Sequence, residues 1–184
     1  MNTLKYIIKK YGLSASGKSP VDIPRLGRTE LARLFAELGF TKGAEVGVWQ
    51  GDYTQVLCRA NPNLSLFGID LTSKTARNAV PSRCKLIRMA SMTAAKKFVN
   101  ASLDFVYLNT NHQLGDAIQD IREWSKKVRP GGIVAGYDYF RYRYRAQRYT
   151  YQAVTAYTGT YRVSPWFVAG REVDRIRSWF WVKA

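Results

Sequence analysis

The stretch that most constrains this chain runs Gly43-Ala44-Glu45-Val46-Gly47-Val48-Trp49-Gln50-Gly51-Asp52-Tyr53-Thr54. Ala44 to Val48 suits a strand buried on both faces, after which Tyr53, Val56, Leu57 and Ala60 recur at helical spacing. Between them, Gly47 and Gly51 permit a sharp turn and a close approach of main chain to a ligand. Asp52 fits the N-cap of the helix, with Gln55 three residues on. A strand that passes through glycines into a helix N-terminus presents free N–H groups above the sheet, where an anionic end of a ligand would be held. An ordinary strand-turn-helix, its glycines serving the turn alone, fits this stretch equally well.

The rest of the chain repeats the alternation. Leu64 to Ile69 read as a second strand ending in Asp70, where a carboxylate can accept from both hydroxyls of a ribose. Lys85 to Met89 make a third strand, and Ser91 caps a helix carrying Met92, Ala95, Phe98 and Val99. Leu103 to Leu108 form a fourth, ending at Asn109-Thr110-Asn111-His112. Leu114, Ile118, Ile121 and Val128 then mark a long amphipathic helix stopped by Pro130-Gly131-Gly132, and Ile133 to Gly136 a fifth strand ending in Tyr137-Asp138. Upstream, Leu31, Leu34, Phe35 and Leu38 predict a helix that Gly39 ends. Downstream, Ala153, Val154 and Tyr157 predict a helix closed by Gly159. Tyr161 to Val168 and Trp179 to Val182 then read as two strands paired as an antiparallel hairpin at the sheet edge. The expected fold is α/β: a Rossmann-like, doubly wound, mostly parallel sheet with a C-terminal antiparallel hairpin, whose ligands sit at the C-terminal strand ends.

With 184 residues, 46% of them apolar, the chain fits one domain, read as residues 28–184 behind a basic extension and linker at 1–27. In that extension Lys5, Lys9 and Lys10 surround Leu4, Ile7, Ile8 and Tyr11. This short amphipathic segment can dock on its own domain, on an acidic partner or on a membrane surface. Lys and Arg outnumber Asp and Glu by 29 to 13, a formal charge of +16 that attracts polyanions or acidic substrates and leaves the fold open. Cys58 and Cys84 are isolated, which suggests neither a disulfide framework nor a metal cluster. No apolar run reaches the ~18 residues of a membrane span, and the N-terminus lacks the apolar core and cleavage site of a signal peptide. A cytoplasmic location is expected, and the oligomeric state is not legible.

The glycine spacing separates nucleotide-like cofactors. Glu45-x-Gly47-x-x-x-Gly51 lacks the second glycine of a dinucleotide fingerprint, and the chain has no P-loop pattern. The segments GAEVGVWQGDYTQVLCRANPNLSLFGID, SLDFVYLNTNHQ, DIREWSKKVRPGGIVAGYDY and SWFWVK run in one order from about Arg28 to Lys183. In these segments the chain resembles the class I S-adenosylmethionine-dependent methyltransferases, within them the methyltransferase-24 group of bacteria and phages. The resemblance implies that the cofactor is S-adenosyl-L-methionine. It implies that Glu45, Gly47 and Gly51 surround the amino-acid end of that cofactor, that Asp70 holds the ribose, and that Ser91 and Met92 flank the adenine. Val48, Leu71 and Asn109 complete the implied cofactor-binding set.

The chain departs from that pattern at Asn109-Thr110-Asn111-His112, where many relatives read Asp-Gly-Asn-His, and at Gly136-Tyr137-Asp138, where they read Gly-His-Asp. Asn109 and Asp138 are a poor ligand set for magnesium, and no metal is expected. His112, the one histidine, is a candidate general base, with helix capping as the equal alternative. Asp138 is the second candidate, as base or substrate anchor, against a turn-stabilising carboxylate. Tyr139 to Tyr149 then bring four arginines and five aromatics into eleven residues. Arg141 and Arg143, with Tyr137, are read as binding an anionic small-molecule acceptor at the mouth of the site, in preference to nucleic acid. The expected activity is methyl transfer to an oxygen or nitrogen of such an acceptor. The alternative is a binding protein on the same fold with impaired chemistry, open to nucleic acid or another polyanion; a nicotinamide enzyme is a weaker third.

Overall fold

The computed structural model describes residues 2–14, 18–72, 80–109, 113–139, 149–174 and 176–184. Its elements in chain order are α1 (Thr3–Tyr11), β1 (Val21–Ile23), α2 (Arg28–Glu37), β2 (Lys42–Val46), α3 (Asp52–Ala60), β3 (Ser65–Ile69) and β4 (Cys84–Ile87). They continue with α4 (Ser91–Ala95), β5 (Leu103–Leu108), α5 (Leu114–Ser125), β6 (Val128–Gly136), α6 (Tyr149–Thr160), β7 (Trp166–Ala169) and β8 (Trp179–Val182). The eight strands form one sheet in the order β1-β7-β8-β6-β5-β2-β3-β4. From β6 to β4 every pairing is parallel, whereas β8 runs antiparallel to both β6 and β7. The doubly wound sheet and its terminal hairpin are therefore both present.

Alternation along each strand sorts the core into two layers. Phe105, Tyr107, Ile133, Ala135 and Phe180 pack on one face against Leu31 and Phe35 of α2 and Leu57 of α3. Val46, Val106, Val134 and Trp179 pack on the other against Ile121 and Trp124 of α5 and Ala153 of α6. Gly43 is forced by the first layer: a Cβ there would lie 2.2 Å from the Phe105 ring, which stacks on Phe35 at 4.2 Å between centroids.

The N-terminal stretch enters the same sheet. Ile7, Ile23 and Leu26 are buried in the first layer, Thr3 donates its hydroxyl to the Gly131 carbonyl at 2.6 Å, and β1 pairs parallel with β7. The hairpin strand β7 is thus covered by β1 and does not form the edge. The segment that reads as a Ser/Gly/Pro-rich linker contains this three-residue strand, too short to show alternation.

Several boundaries differ from the sequence reading. Gly51, at φ +87°, is the N-cap of α3, and Asp52 is its first helical residue. Ala90 precedes α4, so Ser91 opens that helix without capping it; Val99, expected on its apolar face, is 75% exposed because the helix ends at Ala95. Val128 belongs to β6, since α5 stops at Ser125 and only two residues separate them. Pro130-Gly131-Gly132 lie inside β6, where the register with β5 shifts between Leu103 and Phe105. Tyr161 to Pro165 lie outside β7, whose first residue is Trp166.

Candidate functional site

The parallel strands β2, β3, β5 and β6 all end on one edge, and the loops leaving them enclose a cleft of about 780 Å³. Its floor is the glycine turn. Gly47, at φ +89°, donates its N–H to the Ile69 carbonyl at 2.8 Å, and Gly51 closes the turn onto the Val48 carbonyl at 2.9 Å. Between them Trp49 takes φ +48°, a left-handed backbone that a bulky residue rarely adopts. It is held there because its N–H donates to Asp70 Oδ2 at 2.7 Å. Asn109 fastens the turn from the β5 side, donating its Nδ2 to the Gly47 carbonyl at 3.1 Å and its main-chain N–H to the Val46 carbonyl at 2.8 Å.

Asp70 closes β3 as expected. Its Oδ1 accepts from the Thr72 N–H at 2.7 Å and the Thr72 hydroxyl at 2.9 Å. Burial alone would raise its carboxyl; these donors and the Trp49 and Val48 N–H groups outweigh it and hold the carboxyl below its ordinary value. Asp70 is therefore a fixed anion on the cleft wall.

Glu45 is the opposite case. It points from β2 into the first core layer, is fully buried, and accepts from the Thr54 hydroxyl of α3 through Oε2. Its Oε1 is the single buried side-chain polar atom without a partner among the described residues, and Glu45 is one of the residues that line the cleft. Burial drives its carboxyl up to about 8; Thr54 and the nearby Arg28 charge oppose the rise. A buried acceptor of this kind is costly unless a ligand donor meets it.

The remaining expected residues divide. Val48, Gly47, Leu71, Ser91, Tyr137 and Asp138 line the cleft; Gly51 shapes the turn without lining it, and Met92 is replaced on the wall by Met89. The Ser91 hydroxyl donates to Asp120 and accepts from Trp124 Nε1 at 2.9 Å, so it braces α4 against α5. Asp138 takes φ +61°, and burial raises its carboxyl while Arg28 opposes the rise. His112, Arg141 and Arg143 lie outside the described residues.

Arg28 itself was not legible as a site residue. It opens α2, where its N–H donates to Asp174 Oδ2 at 2.6 Å and its carbonyl accepts from the Tyr53 hydroxyl at 3.2 Å. Its guanidinium lies 4.6 Å from the Tyr137 ring centroid and 5.7 Å from that of Tyr53. No motif marks it, because its position depends on three elements meeting. Among the described lining residues it is the one Lys or Arg, against the carboxyls of Glu45, Asp52, Asp70 and Asp138. The cleft of a strongly basic chain is thus locally acidic, a setting that favours a cationic ligand.

No helix among the described residues is long and apolar enough to cross a membrane. A family profile described as a methyltransferase domain, Methyltransf_24, matches residues 44–139, more than half of the chain. No curated protein matches it. Among solved structures, an O-methyltransferase candidate from Nostoc punctiforme PCC 73102 matches with a TM-score of 0.67 at 15% identity, over 83% of this chain and 54% of its own, so this chain spans about half of that protein. Rv0187 from MTB, solved with its cofactor, matches with a TM-score of 0.67 at 13% identity over 98% of this chain and 89% of its own. The O-methyltransferase TomG of tomaymycin synthesis from Streptomyces achromogenes, solved with S-adenosylmethionine, matches with a TM-score of 0.65 at 15% identity over 100% of this chain and 91% of its own. At these identities the likeness establishes the class I methyltransferase fold.

Proposed function

The chain belongs to the Methyltransf_24 family of methyltransferase domains, and from that premise we propose that it moves the methyl group of S-adenosyl-L-methionine to an oxygen or nitrogen of a small anionic acceptor. The observation that carries this reading is the unpartnered Glu45 Oε1 in a cleft whose described lining has four carboxyls and one guanidinium. A ligand with a sulfonium and an ammonium suits that charge pattern. Glu45 would accept from the ammonium, Asp70 from the ribose hydroxyls, and the bare main chain of Gly47 and Val48 would lie against the amino-acid end. Leu71, Met89 and the Ser91 backbone would wall the adenine, with Met92 behind them.

When bound, S-adenosylmethionine supplies a methyl group on a positively charged sulfur that leaves as a neutral thioether. The protein's task is alignment, exclusion of water and removal of one proton from the acceptor. Asp138 suits the last role, since burial raises its carboxyl above the ordinary value and the residue lies on the cleft wall with Tyr137. His112 is the second candidate for that proton, and Arg141 and Arg143 would receive the acceptor's anionic group. The likeness to TomG, an O-methyltransferase, and to the Nostoc O-methyltransferase candidate favours oxygen as the methylated atom.

Titration calorimetry with S-adenosylmethionine and S-adenosylhomocysteine tests the cofactor. Turnover of methyl-labelled S-adenosylmethionine against phosphorylated and carboxylated alcohols, phenols and amines tests the reaction. Binding of both and label transfer to an anionic acceptor is the expected result; failure of both ligands to bind at millimolar concentration refutes the reading. The neutral Asn109, its amide spent on Gly47, favours a second reading of a binding protein without chemistry. That reading expects cofactor binding and no label transfer to any acceptor.

A further inference from the structure

We infer that Arg28 is the carboxylate receptor of this cleft and that, together with Glu45, it reads the zwitterionic α-amino-acid end of the ligand; the inference rests on the cofactor reading above. A half-buried guanidinium ordinarily finds a carboxylate, as Arg177 does with Asp22 and Arg129 with Asp104. Arg28 makes no ion pair among the described residues, although four carboxyls line the same cleft. Its charge is accommodated by the faces of Tyr137 and Tyr53, which attract a cation and, among the described residues, leave its guanidinium N–H groups free for a ligand.

The arrangement is prebuilt. The backbone of Arg28 is tied at both ends, to Asp174 through its N–H and to the Tyr53 hydroxyl through its carbonyl. Tyr53 and Thr54 are consecutive on α3: the first supports Arg28, and the second holds Glu45 Oε2. Two neighbouring residues of α3 therefore support Arg28 and Glu45, which line the same cleft as the glycine turn. Their electrostatic coupling is visible in Glu45, whose raised carboxyl the Arg28 charge pulls back down. A guanidinium fork and a buried carboxyl in one cleft match the carboxylate and the ammonium carried on one carbon.

The inference separates Arg28 from the arginines after Asp138. Those belong to the acceptor in the proposed reaction, whereas Arg28 contributes to cofactor affinity and discriminates against adenosyl compounds that lack an amino-acid carboxylate.

The test is calorimetry of the full chain with three ligands: S-adenosylhomocysteine, its decarboxylated analogue and methylthioadenosine. On the unaltered protein, loss of the carboxylate alone should weaken binding about 10- to 100-fold, the range of a charge-assisted hydrogen-bonded pair. Arg28→Gln should weaken S-adenosylhomocysteine by a similar factor, leave methylthioadenosine unchanged, and bring the first two ligands to nearly equal affinity. Arg28→Lys, which keeps the charge and the aliphatic stem, serves if the glutamine variant does not fold, and should retain part of the discrimination. Equal binding of the carboxylated and decarboxylated ligands by the unaltered protein overturns the inference. So does discrimination that survives undiminished in Arg28→Gln or, where that variant does not fold, in Arg28→Lys. In both results the adenosyl ligands still bind and the cofactor reading stands; if none of the three binds, the cofactor reading fails and the inference falls with it.

Discussion

Replacing Glu45 with Gln isolates the most strained electrostatic feature of the fold. The amide keeps the shape of the side chain and an oxygen for the Thr54 hydroxyl, and it removes the titration. Burial raises the Glu45 carboxyl from 4.5 to about 8. At 1.36 kcal/mol for each tenfold change in proton affinity, this corresponds to ~5 kcal/mol against the buried anion. Below about pH 4.5 both folded and unfolded chains carry the proton, so the contribution is complete. As pH rises, the unfolded carboxyl ionises first while the folded one stays neutral; stability falls until the folded group also ionises near pH 8, and then levels. Urea denaturation followed by tryptophan fluorescence at pH 5, 6, 7 and 8 measures this. Between pH 5 and pH 8 the natural chain should lose ~4 kcal/mol relative to Glu45→Gln, because every other group titrates alike in both. Parallel profiles, differing by a constant across the range, would refute the assignment of a neutral buried carboxyl.

Three further outcomes follow from the packing and the cleft. Gly43→Ala places a Cβ 2.2 Å from the Phe105 ring, and should destabilise by ~1–3 kcal/mol, read as a fall in melting temperature with the fold retained. Ser91→Ala removes the hydroxyl between Asp120 and Trp124 and should cost about 1–3 kcal/mol, measured by urea denaturation. Asp70→Asn removes an anion that four donors hold below its ordinary carboxyl value. The natural chain gains stability from it above about pH 3.8, and loses that gain as pH falls through the lower folded value. The variant should lack this acid-side dependence in a pH-resolved melt and bind adenosine ligands at least ~10-fold more weakly.

The legible part of the site is the part built from main chain and single strand ends. Gly47, Gly51 and Asp70 could be read because a left-handed backbone favours glycine and because a carboxylate at the end of a parallel strand stands at the ligand edge of the sheet. Val128 stands seven residues after Ile121, a helical interval that predicts it on α5, while the chain changes from helix to strand within two residues and places it in β6. Strand β1 escaped notice for its length, and its register is set by β7, almost the whole chain away. Asp52 and Ser91 have good capping chemistry, yet Gly51 provides the left-handed conformation that starts α3, and the hydroxyl of Ser91 is better used between helices. Arg28 is the instructive omission. Its role is created by Tyr53 from α3 and Tyr137 after β6, and nothing local to Gly27-Arg28-Thr29 announces it.

The most direct test of the account is a crystal structure of the protein grown with S-adenosylhomocysteine. One molecule is expected in the cleft above Gly47, its ribose hydroxyls on Asp70, its ammonium toward Glu45 Oε1 and its carboxylate on Arg28. A molecule bound elsewhere contradicts it, such as in the cavity of about 900 Å³ between α1 and β8 at the opposite edge of the sheet. So does a ribose turned away from Asp70.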